Sequence, residues 1–216
     1  WHAAGVLADS LLSSQSAELL RRSYAPKAFG AWALQRAAAV AVLDSCVLFS
    51  SIASLFGGAG QANYSAANSC LDSLAACRRL RAQAASSVQW GPWADVGMAA
   101  AGATVNQRLQ SAGISLIERS HGVAAWQASL LPRSPAVVAA VLVAWGKFLG
   151  MMPQVPPLLS SFEGQRVAVS AAGASGGGPA VPITMESLLE MLHETTGQSV
   201  DPDAPLMESG LDSLAA

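Results

Sequence analysis

The sequence predicts an α/β fold, a parallel sheet flanked by helices, followed by a linker and the start of a small helical unit. Three observations carry this. Short apolar runs with β-branched residues alternate with helical patterns, which implies parallel strands joined by crossovers. The chain is 52% hydrophobic and only 12% charged, enough to build a sizeable core. Near its end the composition turns to Ala, Ser and Gly and then to an acidic segment.

Taken in order, Ser16 to Arg22 reads as a short helix. Pro26 opens a longer one running from Lys27 toward Val42, because proline is tolerated in a first turn. Cys46 to Phe49, ending in Ser50-Ser51, has the pattern of a buried parallel strand with polar residues at its carboxyl end. Gly57 to Gly60 is a loop. A helical pattern then runs from Tyr64 through Leu71, Leu74 and Cys77 to the basic turn Arg78 to Arg81, whose cations complement a helix C-terminus. Ser87 to Trp90 is the next strand, turned at Gly91-Pro92-Trp93, and the valine-rich stretch Ala136 to Trp145 is the last. Gly164 to Val181, with Gly176-Gly177-Gly178-Pro179, is a flexible linker. Beyond it Met185, Leu188, Leu189 and Leu192 give a helix from Thr184 to Glu194, with Thr184 as its cap.

Charge separates the same two parts. From Ile183 to Ala216 there are seven acids and no Lys or Arg, so the rest holds all 12 basic residues against seven acids, 12 − 7 = +5. A basic body and an acidic tail point to two units. No basic stripe with interleaved aromatics exists, so nucleic acid is not an expected partner. Cys46, Cys70 and Cys77 form no CxxC pair and read as reduced core or helix residues. His2, His121 and His193 are scattered, so no metal site is expected. Ala136 to Trp145 is too short to span a bilayer, and no basic-then-apolar leader follows Trp1. The expectation is a soluble, cytoplasmic protein, cut at both ends.

One constellation carries chemistry. Ser51 lies 13 positions before Tyr64, Asn68 four after it and Lys27 37 before it. Reducing a ketone requires a proton donor for the alkoxide as hydride reaches carbon. A neighbouring ammonium is expected to lower the phenol pKa toward that task, and a serine hydroxyl to fix the carbonyl oxygen. Ser51 and Gly91-Pro92 fall at strand carboxyl ends, where ligands bind such sheets.

Trp1-His2-Ala3-Ala4-Gly5-Val6-Leu7, Ala25-Pro26-Lys27, the Ser51/Tyr64/Asn68 set and Trp90-Gly91-Pro92-Trp93-Ala94-Asp95-Val96-Gly97-Met98 together resemble the ketoreductase domain of modular polyketide synthases, within the short-chain dehydrogenase/reductase superfamily. The ordinary superfamily pattern has lysine four residues after the tyrosine; the polyketide subgroup has asparagine there and lysine far upstream, as with Asn68 and Lys27. The resemblance implies a partial Rossmann-like sheet over residues 1–162, with NADPH as cofactor. It implies that Tyr64 donates the proton, that Ser51 holds the substrate carbonyl, and that Lys27 and Asn68 support a proton relay and the cofactor ribose. Ala4, Gly5, Gly91 and Pro92 would lie beside the cofactor. Trp93 and Met98 would line the acyl site, or else serve packing. Asp9, Phe56 and Asn63 carry the stereochemical signals and lean to the B-type. No Gly-x-Gly-x-x-Gly turn occurs, so the phosphate-binding half is expected upstream of Trp1.

Glu208-Ser209-Gly210-Leu211-Asp212-Ser213-Leu214 resembles the attachment site of acyl or peptidyl carrier proteins, where the serine after aspartate takes a 4′-phosphopantetheine arm. That implies a linker over residues 163–182 and, over 183–216, the first part of an all-α carrier bundle loaded on Ser213 by a phosphopantetheinyl transferase. The implied partners are an acyl thioester substrate and ketosynthase and acyltransferase domains in cis. Three other readings stand beside this one: a degenerate ketoreductase kept as scaffold for a working carrier, a free-standing reductase, and an inactive truncated product.

Overall fold

The strands stack because their apolar residues can be covered from both sides. A computed structural model of the chain describes residues 1–94 and 103–166. Three strands, β1 (Val47–Ser51), β2 (Ser86–Trp90) and β4 (Val137–Ala140), form a parallel sheet in the order β1-β2-β4, with Ser51 paired to Trp90 and Trp90 to Ala140. Every residue of the central β2 is buried, as expected of a strand covered on both faces. His2 runs parallel beside β1, its amide bonding Val47 O and its carbonyl receiving Phe49 N–H, both at 2.9 Å. That ladder carries the following Ala4-Gly5 to the carboxyl end of β1.

Helices separate the parallel strands. α1 (Ala17–Tyr24) is capped by Ser16, whose Oγ accepts from Leu19 N at 3.2 Å. α2 (Gly30–Ala37) and α4 (Ala62–Leu80) cover one face of the sheet, where Ala31, Leu48, Leu71, Ala75 and Ala85 form a core cluster. On the other face Val47, Val88, Trp90, Ile117 and Ala140 pack with Trp93 and with Trp126 of α6 (Arg119–Ser129). A one-turn α3 (Ala53–Phe56) lies between β1 and α4. Beyond β2 come α5 (Ala103–Ser111) and β3 (Ile114–Ser115). The chain closes with β5 (Leu142–Val143), α7 (Trp145–Gly150) and a 3₁₀ segment at Pro157–Gln165. Phe148, Leu149, Leu159 and Ile114 form a third cluster there, against Ile52 and Phe56.

Two expectations are corrected. Pro26 does not open a long helix toward Val42. It lies in a five-residue π turn, Ala25–Phe29, between α1 and α2, and the helix ends at Ala37. Pro26 has no amide hydrogen for the Arg22 carbonyl, and a widened turn, in which Gly30 N–H reaches Ala25 O, takes up the mismatch without a break. Ala136 to Trp145 is not one strand either. β4 ends at Ala140, and β5 pairs antiparallel with β3 in a separate two-stranded sheet. The cysteines are free, but Cys70 and Cys77 are exposed on α4 and only Cys46 is half-buried.

Candidate active site

The carboxyl end of β1 is where the sequence and the fold meet. Ser51 is its last residue, and the Ser51 Oγ accepts from Ala53 N at 3.2 Å, which turns the chain into α3. Tyr64 and Asn68 share one face of α4, one turn apart, packed against the strand. Lys27 comes from the π turn. Its ammonium donates to Phe49 O at 2.9 Å and stands 5.3 Å from the centroid of the Tyr64 ring. Four residues from three elements, 41 positions apart at the extremes (68 − 27), thus converge on one spot.

The set is deeply buried: Tyr64 is 5%, Lys27 4% and Asn68 0% exposed. Burial lowers the Lys27 pKa from 10.5 to about 8, against an upward pull from the Asp72 carboxylate. The Tyr64 phenol moves the other way from the expectation of a lowered pKa. Burial pushes it up from 10.0, with the Asn68 and Ser51 side chains opposing and the Asp9 carboxylate adding to the rise. The reason is geometric: Lys27 faces the ring and spends a hydrogen on a β1 carbonyl, so desolvation of the phenolate outweighs any gain from the ammonium.

Backbone interactions hold these groups still. His2 Nε2 donates to Lys27 O at 3.1 Å, which requires the tautomer with hydrogen on Nε2. Asn68 Nδ2 donates to Tyr64 O at 2.8 Å, while its Oδ1 is buried without a partner, an acceptor left over at the centre of the site. Asn63 Oδ1 accepts from Tyr64 N at 2.7 Å, and its Nδ2 donates to Ala8 O at 2.7 Å and Leu19 O at 3.2 Å. Asn63 therefore ties the start of α4 to the segment carrying Asp9. Asp9 itself is exposed and accepts from Gln61 Nε2 at 3.1 Å.

The remaining sequence-predicted residues divide. Ala4 and Gly5 are exposed beside the site, and a Cβ on Gly5 would come within 3.0 Å of Lys27 Cε. Gly91 follows β2, donating to Ala140 O at 2.8 Å, with Pro92 next and buried. Phe56 packs away from the tetrad on Phe148, with ring centroids 5.0 Å apart. Trp93 packs at a tilt against Trp90, with ring centroids 5.0 Å apart, and covers Gly122, where an added Cβ would fall 2.1 Å from its ring. Met98 and Ser213 lie outside the described residues.

Sequence reasoning missed Asp72 and His2. Asp72 is eight residues after Tyr64 on the same helix face, a spacing that was available as a signal; His2 gave none, since its partner is a backbone carbonyl 25 residues away. Among the described residues no group of three potential metal ligands occurs, and no helix is long and apolar enough to cross a membrane.

The family model of the KR domain matches residues 1–95. The spectinabilin polyketide synthase system protein NorB of Streptomyces orinoci is 35% identical over 100% of this chain and 11% of its own length. A solved structure of A-type ketoreductases from a modular polyketide synthase is 35% identical, with a TM-score of 0.70 over 74% of this chain and 34% of that one. The ketoreductase from the first module of phoslactomycin biosynthesis in Streptomyces sp. HK803 is 36% identical, with a TM-score of 0.68 over 76% and 38%. The chain spans about a tenth of the length of the curated relatives it matches. The KR domain family is matched over residues 1–95, and the α/β fold of the described residues is that of the Rossmann-like ketoreductases of polyketide synthases.

Proposed function

We propose that the chain contributes the catalytic half of a ketoreductase that converts a β-ketoacyl thioester to the β-hydroxyacyl thioester with NADPH. The observation that carries this reading is the convergence of Lys27, Ser51, Tyr64 and Asn68 at the carboxyl end of β1. The surroundings fit the cofactor. A Cβ on Gly5 would press on the Lys27 side chain at 3.0 Å from Cε, and Asn68 Oδ1 is an unspent buried acceptor. Ala4, Gly5, Gly91 and Pro92 would border it, and Lys27 and Tyr64 would meet its ribose. When bound, NADPH supplies the hydride that reduces the β-carbon.

In this reading the Ser51 hydroxyl donates to the ketone oxygen and holds it toward Tyr64. The Tyr64 O–H gives its proton to the alkoxide oxygen as the C–O π bond is reduced, leaving a tyrosinate. Lys27, charged below about pH 8, stabilises that tyrosinate and returns a proton to it through the relay anchored by Asn68. A raised phenol pKa suits an acid that must stay protonated until charge develops on the substrate. Asp9, Phe56 and Asn63 support B-type stereochemistry, which the configuration of the hydroxyl product tests. Trp93 serves packing in this reading.

The acyl chain would be carried on a 4′-phosphopantetheine arm at Ser213, within a carrier unit over residues 183–216 reached through the 163–182 linker. Supporting this is the match of the curated relatives along 100% of the chain. Ketosynthase and acyltransferase domains in cis would supply the β-ketoacyl group. The test is a full-length protein given a β-ketoacyl thioester and either NADPH or NADH. NADPH-dependent formation of the β-hydroxy product supports the assignment, and no reduction with either cofactor overturns it. Incubation with coenzyme A and a phosphopantetheinyl transferase should add one arm by mass, and Ser213→Ala should abolish that addition.

A further inference from the structure

Tyr64, Asn68 and Asp72 follow one another at four-residue spacing along α4, so one helix face presents all three. The first two belong to the proposed tetrad. The third is half-buried beneath the sheet and has no role in the reaction described above. Its carboxylate is nonetheless fully engaged. Oδ1 accepts from Ser87 Oγ at 2.6 Å, and Oδ2 from Ser54 Oγ at 2.8 Å and Gln89 Nε2 at 2.9 Å. Ser87 and Gln89 are on β2 and Ser54 on α3, so one side chain ties three elements together.

Ser54 makes the connection to the site. Its Oγ is also 2.8 Å from the carbonyl oxygen of Ser51 and accepts from Gln89 Nε2 at 3.1 Å. A hydroxyl has one hydrogen, so Ser54 divides it between Ser51 O and Asp72. Ser50 Oγ closes the ring, 3.3 Å from Ser54 Oγ and 3.4 Å from Asn68 O. The network thus fixes the turn on which Ser51 sits and the helix turn on which Asn68 sits.

The charges around Lys27 give Asp72 a second reach. From β1 Lys27 meets only the Phe49 carbonyl, and from α4 it meets the Tyr64 ring and the field of Asp72. Glu18, Arg21 and Arg22 of α1 and Arg36 of α2 are exposed, and the His2 imidazole engages the Lys27 backbone carbonyl. Among the described residues, the negative charge opposing the desolvation of Lys27 is that of Asp72.

We propose that Asp72 is a positioning residue of the reductase site, fixing the Ser51 turn through Ser54 and supplying the negative charge felt by the Lys27 ammonium. This rests on the tetrad reading given above. The test compares wild type, Asp72→Asn, Ser87→Ala and Ser54→Ala in the full-length protein, measuring kcat/KM for a β-ketoacyl thioester with NADPH across pH. Asp72→Asn keeps the shape but removes the charge. Its alkaline limb should move to lower pH than the wild-type limb, with at least a tenfold loss of kcat at pH 8. Ser87→Ala removes one hydrogen bond but keeps the charge, so its limb should stay where the wild type has it. Ser54→Ala should lower kcat severalfold at unchanged KM without moving the limb, and it reads the network independently if Asp72→Asn does not fold. An unmoved limb in folded Asp72→Asn, or wild-type kcat in Ser54→Ala, overturns the proposal while leaving the tetrad standing. A wild type that reduces nothing overturns the tetrad reading and the proposal with it.

Discussion

Replacing Lys27 by Met should change how stability depends on pH more than it changes stability itself. Lys27 is 4% exposed, and its ammonium is bonded to Phe49 O. Its pKa falls from 10.5 to about 8, mainly through desolvation. A shift of that size corresponds to about 3 kcal/mol. The sign is fixed by proton counting. Between about pH 8 and 10.5 the unfolded chain keeps the lysine proton that the folded chain has lost, so folding becomes more favourable as pH rises through this window. Lys27→Met has no such titration. Urea unfolding of both proteins at a series of pH values from neutral to about pH 10 should therefore show wild-type stability climbing relative to the variant by about 2–3 kcal/mol. Parallel stability curves would refute the assignment of a buried, desolvated ammonium. The same titration should appear in function, because a lysine that must be charged loses its effect as pH rises through about 8.

Three other substitutions probe the frame around the site. Gly122→Ala puts a Cβ 2.1 Å from the Trp93 ring, which must move, and this should lower the denaturation midpoint by the equivalent of about 1–3 kcal/mol. Asn63→Ala removes the bonds to Ala8 O and Leu19 O and takes this donor from the buried Ala8 carbonyl; a loss of about 1–3 kcal/mol by urea unfolding is expected, with a rise in proteolytic nicking of the segment around Asp9. His2→Phe removes one donor from Lys27 O, which Gly30 N–H also reaches, and should cost about 1 kcal/mol without changing the pH at which activity falls.

What the sequence disclosed depended on how local each signal is. Tyr64 and Asn68 were legible because four residues is one helical turn, and Ser51 because an apolar run ending in polar residues marks a strand's carboxyl end. The position of Lys27 was legible only through family resemblance. Its environment was not, since the π turn depends on the missing amide of Pro26 and on the packing of Gly30 against His2. The opposite shift of Tyr64 was likewise hidden, because it follows from where the ammonium points rather than from its presence. The valine-rich run to Trp145 gave no sign of its split, as apolarity does not say which sheet a strand joins. Asp72 makes the sharpest case. Leu71-Asp72-Ser73-Leu74-Ala75-Ala76 recurs letter for letter as Leu211-Asp212-Ser213-Leu214-Ala215-Ala216. In α4 the aspartate is hydrogen-bonded beneath a sheet and Ser73 is exposed mid-helix. The hexapeptide alone therefore assigns no role, and the carrier reading of Ser213 draws on the glycine-rich and acidic stretches of sequence before it.

The central claim is that Tyr64 is the proton donor of a ketone reduction, and Tyr64→Phe tests it most directly. The full-length protein would be given NADPH and a β-ketoacyl thioester, following hydroxy product and bound cofactor together. The account predicts that Tyr64→Phe lowers kcat by about 10²-fold or more while NADPH still binds and the unfolding midpoint stays near wild type. Reduction at the wild-type rate by the folded variant would contradict it.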